Sequence, residues 1–365
     1  MINRAIISGG GTGGHIFPAL AIANEIKKRN PNAEILFVGA LGKMEMEKVP
    51  AAGYNIIGLP IAGLQRKLTL SNFALPFKLI KSLWMASRIL KDFKPDVVVG
   101  VGGYASGPTL RAAISAGIPT LIQEQNSFPG KTNKILAGKV NSICTAYEGL
   151  EKFFPAHKIT VTGNPIRYEM VQIEGKKEAA ITHFGLDPAK KTILIIGGSL
   201  GARTLNESVL KGIESIQNAD VQVLWQCGKF YFSSVNETLK HINASGILLH
   251  EFIARMDLAY AVADVIISRA GAISVSELCL IRKPTILVPS PNVAEDHQTK
   301  NAMALVEKNA ALLVKDSEAA GSLIATALEL LKDDVKMNDL SNSIAKLGKP
   351  NASAQIVDKL EQIKK

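Results

Sequence analysis

The chain has 365 residues, 47% hydrophobic and 20% charged, which is enough for two globular domains and excludes a disordered chain, a collagen or a coiled coil. Its three cysteines, Cys144, Cys227 and Cys279, form no CxxC pair; neither a disulfide framework nor a cysteine zinc site is supported, and a reducing cytoplasm fits best. The formal charge of +10 falls in the first half, with 19 Lys+Arg against 9 Asp+Glu in residues 1–163 and 23 against 23 in residues 164–365. The first half is therefore expected to meet an anionic partner: nucleic acid, an anionic membrane surface or a phosphorylated substrate.

The opening MINRAIISGGG lacks the apolar run of a signal sequence, and no stretch of about 18 apolar residues follows. The chain is thus expected neither to be secreted nor to span a membrane. A short strand, Ala5 to Ser8, a helix from about Ile16 to Lys28 and a strand from Ile35 to Val38 make a βαβ unit. Between strand and helix, Gly9 to Gly14 contains a GxGxxG, the context of a dinucleotide site. In such a site an acid closes the second strand and holds a ribose, whereas here Phe37-Val38 runs into Gly39-Ala40-Leu41. That lowers the reading as a nicotinamide dehydrogenase. His15 follows the loop at the start of the helix, with Pro18 suited to a first turn. The positive end of a helix disfavours imidazolium, so His15 is expected to be neutral near pH 7 and able to accept a proton, unless it only caps or packs.

Pro76 opens a helix from Phe77 to Phe93. Spacing at 100° puts Leu79, Leu83, Ala86, Leu90 and Phe93 on a core stripe, and Lys78, Lys81, Arg88 and Lys91 opposite. Phe77, Ile80, Trp84 and Met85 fall among those cations. Bulky apolar residues interleaved with Lys and Arg fit a face lying in the interface of an anionic bilayer, or else one packed against a neighbouring loop. Nucleic acid is not expected, because no helix-turn-helix, RRM or zinc-finger signature accompanies the charge.

Strands follow at Asp96 to Gly100, leading into Gly102-Gly103-Tyr104, and at Thr120 to Ile122. The pattern restarts at Thr192 to Ile196 before Gly197-Gly198-Ser199, and continues at Val221 to Trp225, Asp264 to Ile267 and Pro284 to Val288. Asp96-Val97-Val98-Val99 corresponds to Asp264-Val265-Ile266-Ile267, and Ile118-Pro119-Thr120-Leu121 to Lys283-Pro284-Thr285-Ile286. Two doubly wound α/β domains in tandem are expected, 1–163 and 164–350, divided at Thr162-Gly163-Asn164-Pro165. A last helix, about Ser353 to Ile363, within 351–365, is assignable to either. The loop Gly197 to Arg203 favours phosphate through its amides and the following helix dipole, and neither glycine loop is a GxxxxGK[ST] P-loop. Glu277, two turns into the helix after Ile267, offers two oxygens to the vicinal hydroxyls of a ribose, or else is a solvated helix glutamate.

Six ordered blocks, Gly10 to Leu20, Gly102 to Pro108, Glu124-Gln125-Asn126, Gly163 to Arg167, Gly197 to Ala202 and Ser268 to Ala272, resemble the bacterial MurG family of N-acetylglucosaminyltransferases. That family converts lipid I to lipid II in peptidoglycan synthesis. The resemblance implies a GT-B fold: two Rossmann-like domains facing a cleft, the second holding the donor UDP-N-acetylglucosamine and the first the acceptor. By motif position it implies donor contacts from Arg167, Ser199, Ile253, Met256, Ala272, Ile273, Ser274, Val275, Ser276, Glu277 and Gln298, with Ile253 offering backbone to uracil and Glu277 holding the ribose. Thr12, Gly13, Gly14 and Asn126 are implied where donor sugar and acceptor meet, with Gly103, Tyr104 and Asn126 toward the acceptor, and His15 or, as runner-up, Glu124 as the base. Leu200 departs from the glutamine common in the family, leaving one donor contact unaccounted for. No DxD sequence occurs, so no metal and no cofactor are expected. A membrane-held, anionic acceptor agrees with the charge partition and with a peripheral location on the cytoplasmic face of the inner membrane. The competing readings are a UDP-N-acetylglucosamine 2-epimerase or a diacylglycerol glycosyltransferase on the same fold, the dehydrogenase, and a non-catalytic membrane scaffold.

Overall fold

The computed structural model describes residues 1–61 and 75–364, which divide into two compact units, Met1–Ile166 with Lys349–Lys365, and Arg167–Gly348. The first carries a parallel sheet of β1 (Arg4–Ser8), β2 (Glu34–Ala40), β3 (Asn55–Leu59), β4 (Val97–Gly100), β5 (Thr120–Glu124), β6 (Ser142–Thr145) and β7 (Ile159–Val161), in the order β3-β2-β1-β4-β5-β6-β7. The second carries β8 (Thr192–Ile196), β9 (Gln222–Gln226), β10 (Ile247–His250), β11 (Val265–Ser268), β12 (Thr285–Leu287) and β13 (Leu312–Leu313), in the order β10-β9-β8-β11-β12-β13. Both are Rossmann-like, and in each the first and fourth strands of the unit are neighbours. Their carboxyl ends form the crevice where such sheets bind ligand.

The repeat seen in the sequence has a physical basis. Asp96 accepts hydrogen bonds from the amides of Asn3 (2.7 Å) and Arg4 (3.0 Å) at the head of β1. Asp264 does the same for Thr192 (2.7 Å) at the head of β8. Each aspartate thus registers the fourth strand of its unit against the first. The central strands, such as β4, β8 and β11, are short apolar runs buried on both faces, as sheets with helices on either side require. In the first unit the helix Gly13–Arg29 packs on one face through Ile16, Ile22 and Ile26. The opposite face buries Leu110 and Ala113 of the helix Ser106–Ser115, and Ala86 and Leu90 of the helix Leu75–Phe93. In the second unit Trp225 is fully buried, its indole donating to Asn206 at 3.1 Å.

Three details refine the sequence reading. The first helix begins at Gly13 rather than Ile16, so Pro18 lies inside it rather than in its first turn; with no N–H to give, Pro18 leaves the Gly14 carbonyl without a helical partner. The helix Ala352–Ile363 belongs to the first unit. Its Ile356, Val357 and Leu360 join the core under the first helix, while Arg29 reaches Asp358 at 2.7 Å and the Ala354 carbonyl at 2.8 Å. The Gly163-Asn164-Pro165 stretch, where the sequence divides the domains, is held by side chains: Gln123 donates to Asn164 at 2.9 Å and Asn164 to the Gln125 carbonyl at 3.0 Å, all three buried.

Cys144, Cys227 and Cys279 are free and buried. Burial pushes the Cys144 and Cys279 thiols up to about 12 and that of Cys227 to about 11, which keeps them protonated and inert.

Candidate active site

The second unit presents the more open site. Beyond β8, the loop Gly197 to Ala202 leads into the helix Arg203–Lys211. Gly197 donates to the Gln226 carbonyl at 3.3 Å and Gly201 to the Gly198 carbonyl at 3.2 Å. Among the described residues the amides of Gly198, Ser199 and Leu200 donate to no protein acceptor. Of the three, Gly198 borders a cavity of about 680 Å³ lined also by Gly271, Ser274, Arg269, Tyr231 and Gln298. Exposed amides at a helix N-terminus are anion donors. Gln298 is held there because its side-chain oxygen accepts from the Ser290 amide at 2.9 Å.

The helix Ala272–Ile281 places Glu277 one turn beyond Ser274 on the same face. Glu277 is 6% exposed, so it is not a solvated helix glutamate. Tyr260 donates to its Oε2 at 3.2 Å, Arg167 approaches its Oε1 at 3.9 Å, and Oε1 is buried without a hydrogen-bond partner. Burial raises its carboxyl above the ordinary glutamate value, opposed by Arg167 and Tyr260. A buried carboxylate oxygen without a donor is costly, and two ligand hydroxyls would satisfy it.

Val275 and Ser276 do not share this position. At 100° and 200° from Ser274, Val275 is buried at 1% exposure, and the Ser276 hydroxyl donates to the Ala272 carbonyl at 3.0 Å. Helical periodicity turns both away from the Ser274–Glu277 face. The Ile253 amide donates to the Gln226 side chain at 2.9 Å. That leaves the carbonyl as its backbone group for a base. Met256 opens the helix Met256–Val262, which Asp257 anchors through Arg255 (2.8 Å) and Lys176 (2.8 Å). These two cations hold the Asp257 carboxyl well below its usual range.

In the first unit the opening glycines of the loop are engaged by the protein. Gly9 donates to the Val38 carbonyl and Gly10 to the Gly102 carbonyl, both at 3.3 Å, and Gly11 donates to Glu45 at 2.7 Å. Gly103, with φ +85°, packs against the same loop, and a Cβ there would lie 2.4 Å from the Gly10 carbonyl oxygen. Gly103 thus serves loop-to-loop contact, and the neighbouring Tyr104 is exposed. Thr12 precedes Gly13, Gly14 and His15 in the first helical turn. His15 Nδ1 lies 3.0 Å from the Gly10 carbonyl oxygen. A carbonyl only accepts, so Nδ1 carries a proton at this contact, which in the neutral ring puts the basic lone pair on Nε2.

Glu124 is 1% exposed. Its carboxylate accepts from the Asn126 amide (3.0 Å), the Asn126 side chain (3.3 Å), the Gly130 amide (3.2 Å) and Asn133 (2.7 Å). This is the geometry of a residue that organises a loop.

On the helix Leu75–Phe93, Phe77 is 76% exposed and Trp84 61%, with Ile80 exposed between them, Lys81 and Arg88 beside them and Lys78 half-buried. Two positions are reassigned. Leu79 is exposed rather than in the core, because burial on this helix begins at Ser82; Met85 is half-buried against the core rather than facing outward. Arg88 stands over the Trp84 ring at 5.9 Å.

Sequence reasoning passed over Glu45, Gln226 and the trio Arg269, Asp316 and Thr204, in which Thr204 donates to Asp316 at 2.9 Å beside the cavity. None has a spacing signature, because each acts through a partner distant in sequence. Among the described residues no group of three or more His, Cys, Asp or Glu is placed to hold a metal ion, and no helix is long and apolar enough to cross a membrane.

Residues 5–145 match the N-terminal domain of glycosyltransferase family 28 and residues 192–356 match its C-terminal domain. A relative from Parabacteroides distasonis, the UDP-N-acetylglucosamine--N-acetylmuramyl-(pentapeptide) pyrophosphoryl-undecaprenol N-acetylglucosamine transferase, is 56% identical over 360 residues, covering 99% of this chain and 98% of its own. The crystal structure of Acinetobacter baumannii MurG superposes with a TM-score of 0.79 at 28% identity, covering 99% of each chain. A UDP-GlcNAc 2-epimerase from Neisseria meningitidis bound to UDP-GlcNAc reaches a TM-score of 0.67 at 17% identity, over 98% of this chain and 100% of that one, a likeness of fold alone. With both domains matched in order and a relative of such identity along nearly its whole length, the chain belongs to glycosyltransferase family 28 and, within it, to the MurG family.

Proposed function

We propose that the chain transfers N-acetylglucosamine from UDP-N-acetylglucosamine to the 4-hydroxyl of the muramoyl sugar of lipid I, forming lipid II with inversion at the anomeric carbon. The observation that carries the donor assignment is the pairing, in one unit, of unengaged loop amides at Gly198 to Leu200 with a buried carboxylate oxygen of Glu277 that lacks a donor. The amides suit a diphosphate and the carboxylate suits a ribose, with Ser274 and Gln298 on the wall of the cavity that Gly198 also lines. In the first glycine loop the Gly9, Gly10 and Gly11 amides are directed to protein acceptors, and no acid stands at the end of β2 for a cofactor ribose, which argues against a nicotinamide cofactor there. The 56% identical relative bears the transferase name, which favours transfer over epimerisation.

In the proposed step the acceptor oxygen attacks C1 of the sugar as the bond from C1 to the diphosphate oxygen breaks. The hydroxyl proton passes to Nε2 of His15, and UDP departs carrying the bonding pair. The Gly198 to Leu200 amides stabilise the charge that gathers on the leaving diphosphate, as donors fixed before the reaction. Tyr104 and Asn126 stand on the acceptor side of this reading. His15→Ala is expected to lower kcat by roughly 10² to 10⁴ with the fold intact; turnover near wild type would move the base elsewhere.

The exposed Phe77, Ile80 and Trp84 among Lys81 and Arg88 support docking on an anionic bilayer. An undecaprenyl-linked acceptor and a nucleotide-sugar donor meet at the cytoplasmic face of the inner membrane, where the protein would bind peripherally. Mass analysis of lipid I incubated with the protein and UDP-N-acetylglucosamine tests the reaction. The expected product is lipid I plus one N-acetylhexosamine. Conversion of the donor to its manno epimer without acceptor would instead establish the epimerase.

A further inference from the structure

The chain supplies its own anion to the first glycine loop. Glu45, five residues after β2, is 1% exposed. Its Oε2 accepts from the Gly11 amide at 2.7 Å and its Oε1 from the Ala40 amide at 3.0 Å. Gly10, at φ +148°, has no side chain to block it; a Cβ there would lie 2.2 Å from Glu45 Cδ. The N–H that Glu45 binds and the C=O that His15 Nδ1 binds at 3.0 Å belong to one peptide, Gly10–Gly11. That peptide is trans, so its N–H and C=O point to opposite edges, with Glu45 on one edge and His15 on the other.

We propose that Glu45 positions the His15 imidazole through this peptide. The inference rests on the reading of His15 as the base in sugar transfer. A carboxylate drawn against the N–H polarises the peptide and makes its carbonyl a stronger acceptor, as linked hydrogen bonds reinforce one another. The stronger carbonyl holds the proton on Nδ1 and keeps the lone pair on Nε2. An aspartate that orients a catalytic histidine does the same work by direct contact; here one peptide is interposed. The second amide contact, to Ala40 at the end of β2, ties the loop and His15 to the sheet. Glu45 touches no substrate in this scheme and is a positioning residue.

The test compares wild type with Glu45→Gln and Glu45→Asp in the full-length protein. It reads kcat and donor KM in the transfer of N-acetylglucosamine to lipid I, and the tautomer of His15 by ¹⁵N NMR of labelled histidine, with His15→Ala to assign the signal. A glutamine must turn its NH₂ toward one of the two backbone N–H groups. Loss of a supporting partner of this kind typically costs about 10-fold or more in activity, so Glu45→Gln is expected to lower kcat by about that factor. Donor KM stays unchanged and the Nδ1-protonated signal weakens, while Glu45→Asp retains the carboxylate and recovers part of both. If Glu45→Gln does not fold, Glu45→Asp is read alone, with an intermediate loss of kcat and of the tautomer signal expected. An unchanged His15 tautomer in the folded variants overturns the inference whatever happens to kcat. A wild-type protein that transfers no sugar overturns the functional reading instead, and the NMR comparison still decides the coupling of Glu45 to His15.

Discussion

Glu277 combines burial at 6% exposure with one oxygen lacking a donor and Arg167 3.9 Å away. Its carboxyl is raised because burial outweighs the help of Arg167 and Tyr260. The sign for stability follows: between the ordinary glutamate value and the raised one, the folded state binds the proton and the unfolded state does not, so this residue's contribution falls as pH rises through that window. Ligand binding has the opposite sense. Hydroxyls donate to the ionised form, so UDP affinity is expected to decline as pH drops through the raised value. Glu277→Gln should abolish that decline and weaken UDP binding by about 10- to 100-fold, the cost of one hydrogen bond to a charged group at about 1.5–3 kcal/mol; titration calorimetry across pH measures both. An unchanged affinity in Glu277→Gln would remove it from the ribose site. Glu277 was legible in the sequence because it follows a strand and a glycine turn at helical spacing. Glu45 was not, because an acid that holds a ligand ribose belongs at the end of β2, whereas this one stands farther on and binds the loop itself.

At the scale of elements, two helices decide how the first unit is built and what it meets. The helix Ala352–Ile363 returns from the end of the chain to cover the helix Gly13–Arg29. Its sequence shows an amphipathic stripe but not the sheet it joins, since Arg29 with Asp358 and Lys364 with Asp96 are pairs across more than 250 residues. Ile356→Ala is expected to cost about 2–5 kcal/mol, read as a lower denaturation midpoint of the first unit with UDP binding by the second retained. A midpoint unchanged from wild type would mean that the helix is not part of that core. On the helix Leu75–Phe93, Phe77, Ile80 and Trp84 are exposed together with Lys81, Arg88 and Lys91, and Lys78 is half-buried. Leu79 and Met85 exchanged roles because periodicity gives the angle of a face, not where along the helix the covering layer begins. Each exposed aromatic is worth about 1.5–3 kcal/mol if buried, so Phe77→Ser with Trp84→Ser should lower binding to anionic vesicles by at least about 10-fold in a sedimentation assay, with salt weakening what remains. Undiminished binding would assign that face to protein packing.

The whole molecule repeats one topology, with Asp96 and Asp264 fastening the fourth strand of each unit to the first. It carries two glycine loops that read alike and are used differently. In the first, Gly9, Gly10 and Gly11 donate to the protein itself; in the second, Gly198, Ser199 and Leu200 do not. Sequence gave the position of both loops and the charge that separates the two halves, but the direction of each amide depends on residues brought in by the fold. In the proposed function the nucleotide sugar binds in the Arg167–Gly348 unit. Hydrogen–deuterium exchange with and without UDP is the measurement that decides it. Slowed exchange is expected at Gly198 to Leu200 and in the first turns of the helix Ala272–Ile281, with Gly9 to Gly14 unchanged. Slowing confined to Gly9 to Gly14 would place the nucleotide in the other unit.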